Sequence, residues 1–202
     1  MLKTKEQKDS FREKIKKLRT SKKHDEEQQI KSNQIVKIIR NFPTFANAKN
    51  IAVYHAVQGE ANPYNLIDYN SNKHFYLPIL AKDQSQGLTF APIDETTKYQ
   101  NNRFSIPEPV YKENELITGN ILDLVIVPLV GFDKNGNRIG MGGGFYDRTF
   151  AFKQKKNVKP LLIGFAFDFQ QTESIHKEDW DVCLDFIATE TQLINTQNHE
   201  QT

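Results

Sequence analysis

Glycines crowd one segment of the sequence. Six of the ten fall between residues 131 and 144, inside the run VPLVGFDKNGNRIGMGGGFYDR that spans 127–148. Glycine permits positive φ and close approach of a ligand, and the first N–H groups of a helix have no partner within the helix. A helix that begins after Gly144 would therefore offer an anion site, which phosphate usually fills. Arg138 adds a planar cation that can bind phosphate through two hydrogen bonds.

The run differs from the common nucleotide-binding motifs. Gly131 and Gly136 have the spacing of a P-loop, but Asn137 and Arg138 follow where Lys and Ser or Thr are required. The later glycines do not match G-x-G-x-x-G either. The residues alone leave two interpretations: a phosphate site, or a glycine turn needed only for tight packing of a helix. Asp147 either holds a metal ion beside the phosphates or favours the helix N-terminus electrostatically.

The elements that must position this run alternate along the chain. Residues 124–127 are apolar at consecutive positions, which is typical of a strand covered on both faces. Helices are predicted over 63–71 and 144–156. The pattern predicts one α/β domain over 1–202, with a three-layer, Rossmann-like, mostly parallel sheet and helices on both faces. The predicted strands are 51–57, 75–80, 88–92, 122–130, 161–167 and 186–189.

The N-terminal part of the chain is basic. Residues 1–40 contain 13 Lys and Arg against 6 Asp and Glu, a net charge of +7, whereas the remainder carries −5. Apolar periodicity predicts helices over 6–24 and 26–42, with Pro43 ending the second. Such an arm fits a polyanionic partner or a solvated, lysine-rich helix. Nucleic acid is disfavoured as the partner, because Phe11 is the arm's only aromatic residue and lies on the apolar stripe.

Several broad classes of protein are excluded by composition. No stretch of about 18 apolar residues occurs, so no membrane span is expected. The single cysteine, Cys183, excludes a disulfide framework and a thiolate zinc cage. No apolar signal region follows Met1, so we expect a cytoplasmic protein, which we also expect to be monomeric. The polar segment 191–202 is predicted to be a tail with a frayed end.

The sequence resembles one known family. The run NRIGMGGGFYDR is similar to the signature loop of the 5-formyltetrahydrofolate cyclo-ligases, also called 5,10-methenyltetrahydrofolate synthetases. Further segments agree with the family in order and spacing, so that the similarity covers about residues 5–190. They are the K-x-x-x-R pair Lys8 and Arg12, IAVYHAVQGEANP at 51–63, IPEP at 106–109 and WDVCLDFIATE at 180–190.

The resemblance implies a reaction and its co-substrates. Members convert 5-formyltetrahydrofolate to 5,10-methenyltetrahydrofolate, with ATP going to ADP and phosphate, and they require Mg²⁺. Transfer of the γ-phosphoryl group to the formyl oxygen makes an imidate phosphate, which the folate N10 then attacks. The protein must mainly align two substrates and neutralise phosphoryl charge. A phosphate-binding module of similar fold without this reaction is the alternative.

The resemblance also implies site residues. Catalytic roles fall to Arg138, Lys8 and Tyr146, and Mg²⁺ ligation to Asp147 and Asp185. We prefer Asp185 to Asp181 because the V-x-L-D order matches the family. Some relatives carry Lys at the position of Gly143, so Arg138 or a lysine of the first helix must supply that charge here. The implied ATP contacts are Lys8, Arg12, Arg138, Ile139, Gly140, Met141, Gly142, Gly143, Gly144, Phe145 and Tyr146. The implied folate contacts are His55, Glu60, Phe104, Met141, Gly142, Gly143, Gly144 and Phe145.

Overall fold

Two helices form the N-terminal arm. The computed structural model describes residues 1–20, 25–81, 83, 87–154 and 158–199. Helix α1 is Lys5–Arg19, and it begins where the Thr4 side chain accepts a hydrogen bond from the Gln7 N–H in a capping box. Helix α2 is Asp25–Arg40. The first helix is thus shorter than the predicted 6–24, of which residues 21–24 lie outside the described ranges.

Pro43 begins a helix rather than merely ending one. Helix α3, Pro43–Asn47, has this proline in its first turn, where the missing N–H costs nothing. The prediction that α2 runs to residue 42 was therefore wrong by two residues. Among the helices of the described ranges, none has the length and apolar character needed to cross a bilayer.

A seven-stranded sheet forms the centre of the fold. Its order is β11-β10-β9-β6-β1-β2-β3, with β2, β1, β6, β9 and β10 mutually parallel and the two edge strands antiparallel. The predicted mostly parallel α/β sheet is confirmed. The strands are β1 Asn50–Ala52, β2 His74–Leu80, β3 Leu88–Ile93, β4 Tyr99–Asn101, β5 Pro107–Pro109, β6 Leu124–Pro128, β7 Gly131–Phe132, β8 Arg138–Ile139, β9 Leu161–Phe165, β10 Phe186–Ala188 and β11 Leu193–Asn195.

The sheet is buried on both faces. Leu124 and Ile126 of β6 pack in a cluster with Ile39 of α2, whereas Val125 of the same strand packs with Phe150 in a second cluster. Phe150 directly follows α4, Phe145–Thr149. Successive side chains of a strand point to opposite faces, so helical segments cover both sides of β6. The three layers predicted from the consecutive apolar residues are therefore present.

Two predicted helices are shorter in the structure. The segment 63–71 forms only the 3-10 turn Tyr64–Leu66, and Asp68 accepts a hydrogen bond from the Asn70 N–H, a local contact that favours turns over helix. The segment 144–156 divides into α4 and the 3-10 turn Ala151–Gln154; residues 155–157 lie outside the described ranges.

The predicted C-terminal tail is partly ordered. Its first half forms β11 and the 3-10 turn Thr196–His199, and the buried Thr196 hydroxyl donates to the Leu184 carbonyl. Residues 193–199 of this polar segment are thus ordered, because β10 offers β11 an antiparallel partner. Residues 200–202 lie outside the described ranges.

Candidate active site

A cleft of about 1120 Å³ opens where the central parallel strands end. The segment that follows β1 and the segment that follows β6 both line it, as expected at the carboxyl edge of an open α/β sheet. The cleft brings together every predicted site residue except Asp185. Those residues are Lys8, Arg12, His55, Glu60, Phe104, Arg138, Ile139, Gly140, Met141, Gly142, Gly143, Gly144, Phe145, Tyr146 and Asp147.

The glycine loop presents bare backbone to the cleft. Gly142 has φ +94° and Gly144 has φ +62°, so both occupy the left-handed region that favours glycine. A Cβ added at Gly140 or Gly142 would meet nothing within 4 Å, which leaves room for a ligand against the backbone. Helix α4, however, has only five residues. An anion bound here would therefore contact the loop amides more than a helix dipole.

Two arginines hold the glycine loop. The Arg12 Nε donates to the Gly140 carbonyl at 2.8 Å, and the Arg148 Nη2 donates to the Gly143 carbonyl at 2.8 Å. The first of these contacts joins α1 to the loop. Arg148 also lines the cleft, although the sequence interpretation did not select it. Its position four residues after the last glycine was the available signal.

The basic end of the cleft continues onto α1. The Lys8 Nζ donates to the His176 carbonyl at 2.9 Å, and Lys8 lies one helical turn from Arg12. Both side chains also line a smaller adjoining cavity of about 350 Å³, together with Lys3 and Lys5. Cations from α1 and the glycine loop therefore meet in one region, which suits a ligand with several negative charges.

Arg138 and Asp147 form a well-shielded ion pair. The Arg138 Nη2 lies 2.6 Å from Asp147 Oδ1, and the Arg138 side chain is 7% exposed. The other Nη of Arg138 donates to the Val182 carbonyl. The Val182 N–H in turn donates to Asp147 Oδ1 at 3.1 Å. The segment around Val182 is thereby fixed beside Asp147.

The structure places the two aspartates predicted to bind Mg²⁺ in different surroundings. Asp185 does not line the cleft; it lies just before β10, at the opposite edge of the sheet. Its Oδ2 accepts from the Leu162 N–H at 2.8 Å and lies 3.1 Å from the Lys153 Nζ. Asp181, next to Val182, does line the cleft. The chain passes from the cleft to the start of β10 within these few residues, so Asp181 lines the cleft and Asp185 does not.

Asp147 and Asp181 have the chemistry of a magnesium site. Mg²⁺ takes oxygen ligands, usually one or two carboxylates with phosphate oxygens and several waters. Across the part of the chain that the structure describes, no group of three or more His, Cys, Asp or Glu side chains is arranged to hold a metal ion. A magnesium ion at Asp147 and Asp181 would therefore need phosphate oxygens and waters as its remaining ligands.

Glu60 is a buried carboxylate that also lines the cleft. Its side chain is 8% exposed, and Oε1 lies 3.6 Å from the Arg19 Nη1. The Val57 N–H donates to Oε2 at 3.2 Å. Burial raises the pKa of Glu60, while the Arg19 cation and the Val57 hydrogen bond act to lower it. The charge of Glu60 thus depends on its protein partners.

Three rings that line the cleft have shifted pKa values, and two of them, those of Tyr54 and Tyr146, interact with Glu60. Burial is the main cause that raises the pKa of the Tyr54 and Tyr146 phenols, so both stay neutral and able to donate hydrogen bonds. Burial lowers the pKa of His55, whose ring stacks on Tyr64 with 5.5 Å between centroids. Among the described residues, the buried His55 Nε2 has no hydrogen-bond partner. A polar ligand atom would satisfy it.

Two exposed aromatic rings also line the cleft. Phe104 is 54% exposed, and the Arg103 guanidinium lies 5.1 Å from its ring centroid. Trp180 is 66% exposed and is the only tryptophan in the chain. The sequence interpretation missed Trp180; a large aromatic residue inside the polar run HKEDWD was the signal that could have found it. Exposed rings in a cleft are suited to stacking on a flat ligand.

Comparisons with known proteins agree on one family. The sequence profile described as the 5-formyltetrahydrofolate cyclo-ligase family matches residues 4–190. The chain is 42% identical to 5-formyltetrahydrofolate cyclo-ligase of Haemophilus influenzae over 139 residues, which are 68% of this chain and 73% of the relative. It is 33% identical to the Escherichia coli K12 protein of the same name over 170 residues, 83% of this chain and 92% of the relative.

Comparison with solved structures finds proteins of the same kind. The NMR structure of Aquifex aeolicus 5,10-methenyltetrahydrofolate synthetase superposes with a TM-score of 0.78 at 26% identity, covering 96% of this chain and 99% of that one. The Mycoplasma pneumoniae synthetase, at 22% identity and a TM-score of 0.67, shares the fold. The resemblance read from the sequence is confirmed: the chain belongs to the 5-formyltetrahydrofolate cyclo-ligase family.

Proposed function

We propose that the protein converts 5-formyltetrahydrofolate to 5,10-methenyltetrahydrofolate with consumption of ATP. The observation that carries this proposal is the arrangement of one cleft. Its basic region combines Lys8, Arg12, Arg138 and the glycine loop, and Glu60 lines the same cleft. A polyphosphate and a folate can therefore occupy the cleft together.

The proposed reaction has two bond-forming steps. The formyl oxygen attacks the γ-phosphorus of ATP, and the bond to the ADP oxygen breaks. N10 then attacks the formyl carbon, loses its proton and displaces phosphate as the ring closes. Negative charge develops on the phosphoryl oxygens in the first step and on the departing phosphate in the second. Arg138 and Lys8 stabilise that charge, and the loop amides and Arg12 orient the polyphosphate.

Tyr146 and the magnesium site have supporting roles in this proposal. Tyr146 is neutral because burial raises its pKa, so it acts as a hydrogen-bond donor to a phosphoryl or formyl oxygen rather than as a base. Asp147 and Asp181 would hold Mg²⁺. When bound, Mg²⁺ supplies neutralisation of the polyphosphate charge.

In this proposal, Glu60, His55 and Phe104 recognise the folate. The carboxylate of Glu60 can accept paired hydrogen bonds from the aminopyrimidine edge of a pterin. The unpartnered His55 Nε2 offers a further polar contact, and Phe104 offers an exposed ring for stacking. The cytoplasmic location and monomeric state expected from the sequence stay predictions.

One assay tests the proposed function against the alternative of a phosphate-binding module. Purified protein is mixed with ATP, Mg²⁺ and 5-formyltetrahydrofolate, and the ultraviolet absorbance of the methenyl product is followed. We expect product that depends on all three components. Nucleotide binding without product under any metal condition would support the module and overturn the ligase.

A further inference from the structure

A buried arginine lies beneath the glutamate of the cleft. We propose that Arg19 is a positioning residue, which holds Glu60 ionised and aimed at the folate without itself touching the ligand. This inference rests on the proposed function only in that Glu60 is taken to bind the folate. Arg19 is one of several basic residues of α1, and its residue type gave no sign of such a role.

Arg19 is out of reach of a ligand in the cleft. The residue is 3% exposed and is not among the residues that line the cleft. Its Nη1 faces Glu60 Oε1 at 3.6 Å, and its Nη2 donates to the Leu129 carbonyl. Among the described residues, the buried Nε of Arg19 has no hydrogen-bond partner. Burial of an unpaired ion costs free energy, so the groups that contact the Arg19 guanidinium are the ones that its charge stabilises.

The same arginine fixes the backbone that carries Glu60. A Cβ at Gly59 would lie 2.4 Å from the Arg19 carbonyl oxygen, so the glutamate loop packs directly against the end of α1. Gly59 has φ +70°, which a glycine adopts without strain. Arg19 thus joins α1, the loop after β1 and the residue after β6. The carboxylate is held through Oε1 by Arg19 and through Oε2 by the Val57 N–H.

No other cation described in the structure replaces Arg19 at Glu60. The titratable groups that also interact with Glu60 are the phenols of Tyr54 and Tyr146, both kept neutral by burial. Arg138 pairs with Asp147 instead. Burial raises the pKa of Glu60 and Arg19 lowers it. Without Arg19, the pKa of this carboxyl group would rise further, which favours the protonated form that lacks the paired acceptors.

The sign of the pH effect follows from the charge of Glu60. Folate binding that needs ionised Glu60 weakens as pH falls through the folded pKa of that group. Loss of Arg19 raises this pKa, so binding must weaken at a higher pH than in the unsubstituted protein. The effect is specific to the folate: affinity for ATP should stay within about twofold, because Arg19 does not reach the basic region.

The test is a calorimetric titration of 5-formyltetrahydrofolate without ATP, between pH 6 and pH 9. The variants are R19M, R19K, E60Q and R19M/E60Q, with K16M on the exposed face of the same helix as the control. We expect R19M to weaken folate binding about tenfold at pH 7. The folate affinity of this variant should recover as the pH rises. R19K should recover part of the affinity, and K16M should match the unsubstituted protein.

The double variant separates positioning from simple destabilisation. If Arg19 acts through the charge of Glu60, R19M should cost less than about twofold in affinity on the E60Q background. That background also removes the unpaired buried charge, so the comparison survives if R19M alone does not fold. An unchanged pH profile in R19M, or an equal loss with and without E60Q, overturns the inference and leaves the proposed function standing. Absence of any folate binding by the unsubstituted protein overturns both.

Discussion

Arg138 and Asp147 contact each other through Nη2 and Oδ1 at 2.6 Å. A cation that is predicted to bind phosphate is thus already paired with a carboxylate that is predicted to bind magnesium. Because the two groups are paired, neither charge lies without a partner in the cleft before a ligand binds. The pairing also holds the two groups beside each other in the cleft.

Arg138→Ala should lower kcat/KM for ATP strongly and should lower the melting temperature little. Loss of a charge-assisted hydrogen bond to phosphate costs about 1.5–3 kcal/mol, which corresponds to a fall in kcat/KM for ATP of about tenfold to a hundredfold. Steady-state kinetics and a melting curve measure the two effects. Arg40→Ala is the matched control, because Arg40 is exposed on α2 and lies outside the cleft lining. Unchanged kinetics in Arg138→Ala would remove this residue from the site.

Asp181→Asn and Asp185→Asn should give opposite phenotypes. Asp181 lines the cleft, so its substitution should raise the Mg²⁺ concentration needed for half-maximal activity and leave the melting temperature nearly unchanged. Asp185 accepts from the Leu162 N–H and pairs with the buried Lys153. Its substitution should lower the free energy of unfolding by about 1–3 kcal/mol with an ordinary Mg²⁺ requirement. The reverse pattern would restore Asp185 as the metal ligand.

Gly140→Ala tests whether the glycine loop approaches phosphate closely. A methyl group at Gly140 meets nothing within 4 Å, and this glycine is not among those with positive φ, so stability should be unchanged. If phosphate packs on this backbone, KM for ATP should still rise several-fold, since the methyl group occupies the ligand's space. Gly142→Ala is the comparison, because its φ of +94° adds backbone strain of about 1 kcal/mol. Unaltered ATP kinetics in Gly140→Ala would show that phosphate does not pack on this backbone.

Local patterns in the sequence identified many of the residues that line the cleft. The consecutive apolar residues at 124–127 identified the doubly buried strand, and the glycines after it identified the loop at the cleft. Glu60 was found through the resemblance. These features succeed because their types and local spacing carry the physical requirement. The sequence did not indicate the role of Arg19, because its contact with Glu60 joins residues far apart in the chain. Its residue type also does not distinguish it from the exposed Lys16 of the same helix.

The errors share a physical origin. Asp181 and Asp185 are alike as residues, and only the path of the chain toward β10 decides which one faces the cleft. The predicted helix over 63–71 had apolar residues at suitable places, but Asp68 satisfies nearby backbone groups in a turn. Local patterns do not fix such outcomes, because tertiary contacts and competing turn hydrogen bonds have comparable energies.

Trp180 should report nucleotide binding through its fluorescence. It is the only tryptophan, it is 66% exposed, and it lines the cleft close to Asp181. Titration with ATP and Mg²⁺ should change its emission with a midpoint near the ATP affinity, because a bound nucleotide covers the ring or changes its surroundings. Inorganic tripolyphosphate serves as a probe without a base and should give a smaller change. Arg138→Ala should move the ATP midpoint to higher concentration. Constant emission at saturating ATP, with turnover intact, would place the nucleotide away from Trp180.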